Sequence, residues 1–164
     1  MKLELKTLSF KKVIYNYNIY EQEIEYGGVL GQAEMICGFF SHKFVCFRKE
    51  NCQETAAVCL YEIETKRERH IGNAILRYIG IPLKFGDKID NVKEIEKMYG
   101  PPIAIDDCWV DMLLYDYLIS PDILISIGIR ISNNKLVNME IINDSELISE
   151  IIDVRRKWDI RKNC

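Results

Sequence analysis

With 164 residues, the chain is long enough to bury a core without disulfide or metal staples, and one domain is expected. An apolar content of 48% and a charged content of 29% exclude a disordered or low-complexity segment. A formal net charge of −3 argues against a general nucleic-acid binder and suits a basic partner.

The start of the chain, MKLELKTLSFKKVIYNYN, has no apolar stretch followed by a small-residue cleavage site, so it is not a signal peptide. No apolar run reaches the ~18 residues of a membrane-spanning helix. The expectation is a bacterial cytoplasmic protein with no membrane association.

In KVIYNYNIY, Val13, Tyr15, Tyr17 and Ile19 alternate with Lys12, Asn16 and Asn18, which predicts a half-buried strand. Gly27-Gly28, followed by Gly31, marks a turn or joint. QAEMICGFF and KFVCFRKEN, parted by Ser41-His42, read as a hairpin, and TAAVCLYEIET as a further strand. The charged run KRERH (66–70) reads as a solvated turn, while NAILRYIGIPLKF fits helix and strand equally.

The stretch FGDKIDNVKEIEKMYGPP (85–102) has clearer boundaries. Asp87 can cap a helix, and Asp90 adds negative charge to its first turn. Ile89, Val92, Ile95 and Tyr99 give one apolar face, and Gly100 with Pro101-Pro102 stops it. A helix over about 88–99 is predicted.

Three strands are expected next: WVDMLLYDYLIS, DILISIGIRI and KLVNMEII, turned at Ser120-Pro121-Asp122 and Ser132-Asn133-Asn134. Short links imply an antiparallel meander. Ile123, Ile125, Ile127, Ile129 and Ile131 form a period-two face that needs cover, and the preceding helix is the nearest amphipathic partner. The last segment, NDSELISEIIDVRRKWDIR, is helical, with Asn143 and Glu146 at capping-box spacing and Leu147, Ile151, Val154 and Trp158 on one face. The fold class is α+β: an antiparallel β-sheet with helices packed on one face and a C-terminal helix. One domain spans 1–164, divisible into a β-rich lobe (1–80) and a helix-plus-meander lobe (81–164).

Residues Phe85, Gly86, Asp87, Val92, Tyr99, Gly100, Pro102, Tyr115, Tyr117, Ile127, Gly128 and Leu136 set out an order of acid-led helix, Gly-Pro break and three-strand meander. Over about 81–143 this resembles the repeat of beta-lactamase inhibitor protein-like folds, shared by small lipoproteins of the outer-membrane barrel-assembly machinery. The resemblance implies a module that binds other proteins. A lipid-attachment cysteine and signal peptide are not seen, which departs from the lipoproteins. Residues 1–80 match no family by eye.

No residue set dictates a chemistry. Six cysteines occur without a C-x-x-C pair, and reduced, mostly buried thiols are expected rather than disulfides or a zinc site. A nucleophilic site would need one of them beside His42 or His70, which sit at an expected hairpin tip and beside a charged turn. Asp106, Asp107, Asp111 and Asp116 are the densest acids. On one strand Asp111 and Asp116 would point to opposite faces, which argues against a four-carboxylate metal cage. Arg155-Arg156-Lys157 has a structural reason at a helix C-terminus.

The reading is therefore a non-enzymatic protein-binding protein, an immunity protein that neutralises a basic bacterial toxin domain by occlusion and charge steering. Asp106, Asp107, Trp109 and Asp111 are its candidate contacts, and neither cofactor nor metal is expected. A small enzyme with a dispersed active site, or a small-ligand sensor, is the alternative. Oligomeric state is not readable from the sequence.

Overall fold

The computed structural model describes residues 3–39 and 42–163. Ser41 of the expected β-turn and Cys164 lie outside them. Among the described residues eight strands form one antiparallel sheet in the order β1-β2-β3-β4-β8-β7-β6-β5, with four helices and a C-terminal 3-10 turn, an α+β architecture.

The N-terminal half of the sheet is a meander of β1 (Ile19–Tyr26), β2 (Val29–Ile36), β3 (Phe44–Lys49) and β4 (Ala57–Leu60). Gly27 and Gly28 close the first hairpin at φ 56° and 79°, the left-handed conformations a two-residue hairpin turn requires. The expected strand over 12–20 is corrected. Residues Phe10–Val13 form a single helical turn, α1, and β1 begins only at Ile19. The apolar side chains Leu5, Leu8 and Phe10 are drawn under the sheet, where Thr55 Oγ1 donates to the Leu8 carbonyl at 2.8 Å.

The charged run 66–70 is also corrected: it is the first turn of α2 (Lys66–Ile79). Thr65 caps the Glu68 N–H, and Glu68 returns to the Thr65 N–H, so the two satisfy orphan donors reciprocally. Ile71, Ile75, Leu76 and Ile79 then bury one helical face.

The helix expected over 88–99 is half as long. α3 spans only Lys93–Tyr99, with Asn91 Oδ1 accepting from the Lys93 N–H. The preceding residues instead pair with the third meander strand: Gly86 donates to the Leu136 carbonyl, Leu136 to that of Asp87, and Ile89 to that of Asn134. Ile95 and Tyr99 are buried, and Ile89 and Val92 pack partly against the same core, so the apolar face stands although its N-terminal part is not helical.

After α3 come β5 (Ala104–Asp106), β6 (Met112–Ser120), β7 (Ile123–Arg130) and β8 (Leu136–Ile142). β5 is an edge strand in addition to the expected three, and the other three form the expected meander. β8 pairs with β4, so the two halves share one sheet. Ile125, Ile127 and Ile129 face the core with α1, α2 and α3. Ile131 departs from that face: the strand ends at Arg130, and Ile131 is 55% exposed.

α4 (Ser145–Lys157) covers the other face. Its cap is Asp144, one residue later than the Asn143 expected, accepting from the Leu147 N–H. Leu147 and Ile148 seat its N-terminal half against Phe47, Ala57, Leu124 and Ile142. Val154 and Trp158, on the expected apolar face, remain exposed. Beyond the helix, Asp159 accepts from the Ile105 N–H at 3.3 Å and from Arg161, tying the 3-10 turn Ile160–Asn163 to β5.

Candidate functional site

The face under α4 carries an in-register polar row. Asp116 of β6 lies opposite Ser126 of β7, Ser126 opposite Glu140 of β8, and Glu140 opposite Cys59 of β4. The next rung holds Asp106, Leu114, Gly128 and Asn138. Strand alternation places all of them on one side, while their neighbours Tyr115, Tyr117, Ile125, Ile127, Met139 and Ile141 enter the main core.

Arg155 enters this face from α4. Its Nη1 lies 3.0 Å from Asp116 Oδ1 and 3.1 Å from Ser126 Oγ, and its Nη2 donates to Glu140 Oε1. Ser126 also donates to Asp116, and Tyr61 donates to Glu140 Oε2 at 2.7 Å. Burial pushes the Asp116 carboxyl up to about 6, even with Arg155 and Ser126 pulling it down. Burial also acts against ionised Glu140, but Arg155 and the Tyr61 hydroxyl outweigh it and hold Glu140 below its ordinary value. The two acids therefore differ in kind: Glu140 is the fixed counter-ion of Arg155, and Asp116 is the one poised to take a proton.

Above this floor opens a cavity of about 190 Å³, lined by Tyr61, Asp106, Trp109, Asn138, Val154 and Trp158 among others. Trp109 packs on Tyr61 with ring centroids 5.8 Å apart. Asn138 is 1% exposed; its Oδ1 accepts from the Glu62 N–H at 2.7 Å, while its Nδ2 has no acceptor among the described residues. Asp116 Oδ2 likewise has no donor among them.

Of the four expected contact residues, two reach this cavity. Asp106 is buried on β5, accepting from the Cys108 N–H at 2.8 Å and from its thiol at 3.2 Å, and Trp109 forms part of the mouth. Asp107 is exposed nearby but outside the lining. Asp111 precedes β6 rather than lying within a strand, at φ 53°, and accepts from Ser132 Oγ at 2.6 Å and Ser132 N–H at 3.0 Å. It braces the turn between β7 and β8 and is not part of the cavity.

Arg155, Asn138, Glu140 and Trp158 were not among the expected site residues. A signal for two of them does exist in the sequence. Asn138 and Glu140 sit two apart inside the otherwise apolar LVNMEII, so strand alternation puts both polar groups on one face.

His42 lies in the β2–β3 connection and His70 on α2, so neither lines the cavity. The Cys108 thiol is raised by burial and by the adjacent Asp106 carboxylate, the reverse of what activates a cysteine nucleophile. The expected mostly buried thiols are corrected among the described residues: Cys46 and Cys59 are buried, with burial pushing the Cys46 thiol up to about 12, whereas Cys37, Cys52 and Cys108 are exposed. Among the described residues no two cysteines are bonded, no His, Cys, Asp and Glu side chains are grouped to hold a metal ion, and no helix is long and apolar enough to cross a membrane.

No family model, curated protein or solved structure matches the chain. The likeness of residues 81–143 to a helix-plus-meander repeat stays a likeness of motif.

Proposed function

We propose that this chain is a non-enzymatic protein-binding protein, an immunity protein that neutralises a cognate toxin, and that the face around Trp109 and Trp158 is its contact surface. One observation carries the reading. The chain has two tryptophans, and both stand exposed, at 39% and 59%, on the lining of the same cleft beside an exposed Val154. Leaving two large rings and a valine in water is costly unless a partner covers them, and buried tryptophans are frequent anchors of binding energy. The exposed Asp107, near the cleft in sequence, and the net charge of −3 favour a basic partner through steering.

The cleft between the tryptophans is small. At about 190 Å³ it is smaller than the ~300–1,000 Å³ of ordinary small-molecule sites, and it suits one inserted side chain. The Cys108 thiol, raised by burial and the Asp106 carboxylate, and the absence of both histidines from the cleft lining weigh against an acyl-transfer site there.

The test is affinity capture from the source organism followed by titration of the captured partner against variants. Trp109→Ala/Trp158→Ala should weaken a near-stoichiometric complex by about 30-fold or more, on the scale of interface anchors. Tyr15→Ala, an exposed aromatic outside the cleft, should not. A partner that binds the double variant as tightly as wild type removes this face from the interface.

A further inference from the structure

Around the Trp109–Trp158 cleft, the charges do not balance. Asp106, Asp116 and Glu140 are three buried carboxyl groups, and Arg155 is the cation paired with two of them. Three carboxyl groups to one cation leave an excess of acidic groups, in a partly apolar setting where screening by water is weak. The walls are aromatic: Tyr61, Trp109 and Trp158 present ring surface, which attracts cations through its quadrupole. One buried polar atom of the lining has no partner among the described residues, the Asn138 Nδ2 donor. Orphaned buried groups are rare in folded proteins and mark places where a polar partner belongs.

We infer that the cleft receives a basic side chain, lysine or arginine, presented by the protein partner. The aliphatic stem lies between the two tryptophans, and the cationic head faces Asp106 and Glu140, the two carboxyl groups of the lining. This rests on the protein-contact reading above and adds to it the chemistry of the group that enters. The volume of about 190 Å³ admits a single side chain of this size. An acidic side chain would meet Arg155 already neutralised on both sides, by Asp116 and Glu140. A neutral apolar one would leave the excess of acidic groups as it is.

The two tryptophans make the site directly visible, because each gives one indole N–H signal in a proton–nitrogen correlation spectrum. The full chain is titrated with the Nα-acetyl methylamides of arginine, lysine, norleucine, glutamine and glutamate, to about 100 mM at fixed ionic strength, a range that captures the millimolar affinities of single residues. Arginine or lysine should shift both indole signals saturably, with an affinity at least about fivefold above norleucine, in keeping with cation–aromatic attraction. Asp106→Asn should reduce that preference and Trp158→Ala should abolish the response, each in protein whose melting temperature is unchanged. Equal responses to norleucine and arginine would reduce the site to an apolar cleft and overturn the proposal. A stronger response to glutamine or glutamate would overturn it in favour of an amide or an anion, and no shift with any probe would also overturn it. If arginine binds but no partner depends on the tryptophans, the protein-contact reading fails while the site stands. If a partner depends on them but arginine does not bind, the basic side chain alone is wrong.

Discussion

Arg155 of α4 holds Asp116 of β6 with Nη1 3.0 Å from Oδ1, and yet burial keeps that carboxyl at about 6. The guanidinium is shared with Glu140, whose like charge works against ionisation of Asp116, so a single cation serves two buried acids. This competition sets the first prediction.

A carboxyl whose folded-state pKa lies above its unfolded value binds its proton more tightly when folded. The stability contributed by Asp116 is therefore complete below about pH 4 and is lost as pH rises through about 6, amounting to about 2–3 kcal/mol. Glu68, Glu140 and Asp159 are shifted downward and act in the opposite sense, losing their contribution as pH falls. The difference between wild type and Asp116→Asn isolates the one group. Urea unfolding of both proteins from pH 4 to pH 8 should show the variant gaining on wild type across that range. Parallel profiles would mean that Asp116 is not protonated preferentially in the folded state.

Arg155→Met removes the cation and leaves Glu140 and Asp116 buried against Tyr61 and Ser126 alone. Breaking a buried ion pair from one side costs about 3–5 kcal/mol, because the remaining charge is uncompensated. The loss should be greatest near pH 8 and smaller near pH 5, where the acids can take up protons. Denaturant midpoints at the two pH values measure it, and a loss under 1 kcal/mol at pH 8 would contradict the network.

Gly128 sits between Leu114 and Asn138 on the site rung, and a Cβ there would lie 2.5 Å from Asn138 Cβ and 2.7 Å from Met112 Sδ. Gly128→Ala must push β8 or the Met112 side chain aside. The expected cost is about 1–3 kcal/mol, the usual range for an overpacked methyl. Thermal unfolding checks it, and the indole signal of Trp109 should move as Asn138 shifts.

Thr65→Ala removes the hydroxyl that caps α2 and should cost about 1 kcal/mol. Glu68→Gln retains an acceptor for the Thr65 N–H but loses the ion pair to Lys43, whose Nζ is 2.6 Å away. The two variants separate the cap from the ion pair in one denaturation series. An unchanged midpoint for Thr65→Ala would mean that the helix does not depend on its box.

Local information carried much of the fold. The isoleucine alternation from Ile123 to Ile129 set the core face of β7, and Gly27-Gly28 set a hairpin, because both signals act within a few residues through backbone sterics and burial. The Thr65-x-x-Glu68 box was equally local, although the charges of KRERH pointed to a turn. Charge density reports only that a surface is solvated, whereas the box satisfies specific N–H groups. Lys88 and Ile89, expected to open the helix, instead lie along the third meander strand, because pairing with Leu136 and Asn134 supplied the hydrogen bonds of this stretch. The site is where tertiary structure decided most. Asp106, Asp116, Asn138, Glu140 and Arg155 come from three strands and a helix, and only the docking of α4 over the sheet brings Arg155 within bonding distance of Asp116 and Glu140. Sequence spacing governs which way each side chain leaves its own strand. It does not say which strands become neighbours, since that is fixed by the burial of apolar faces on both sides of the sheet at once.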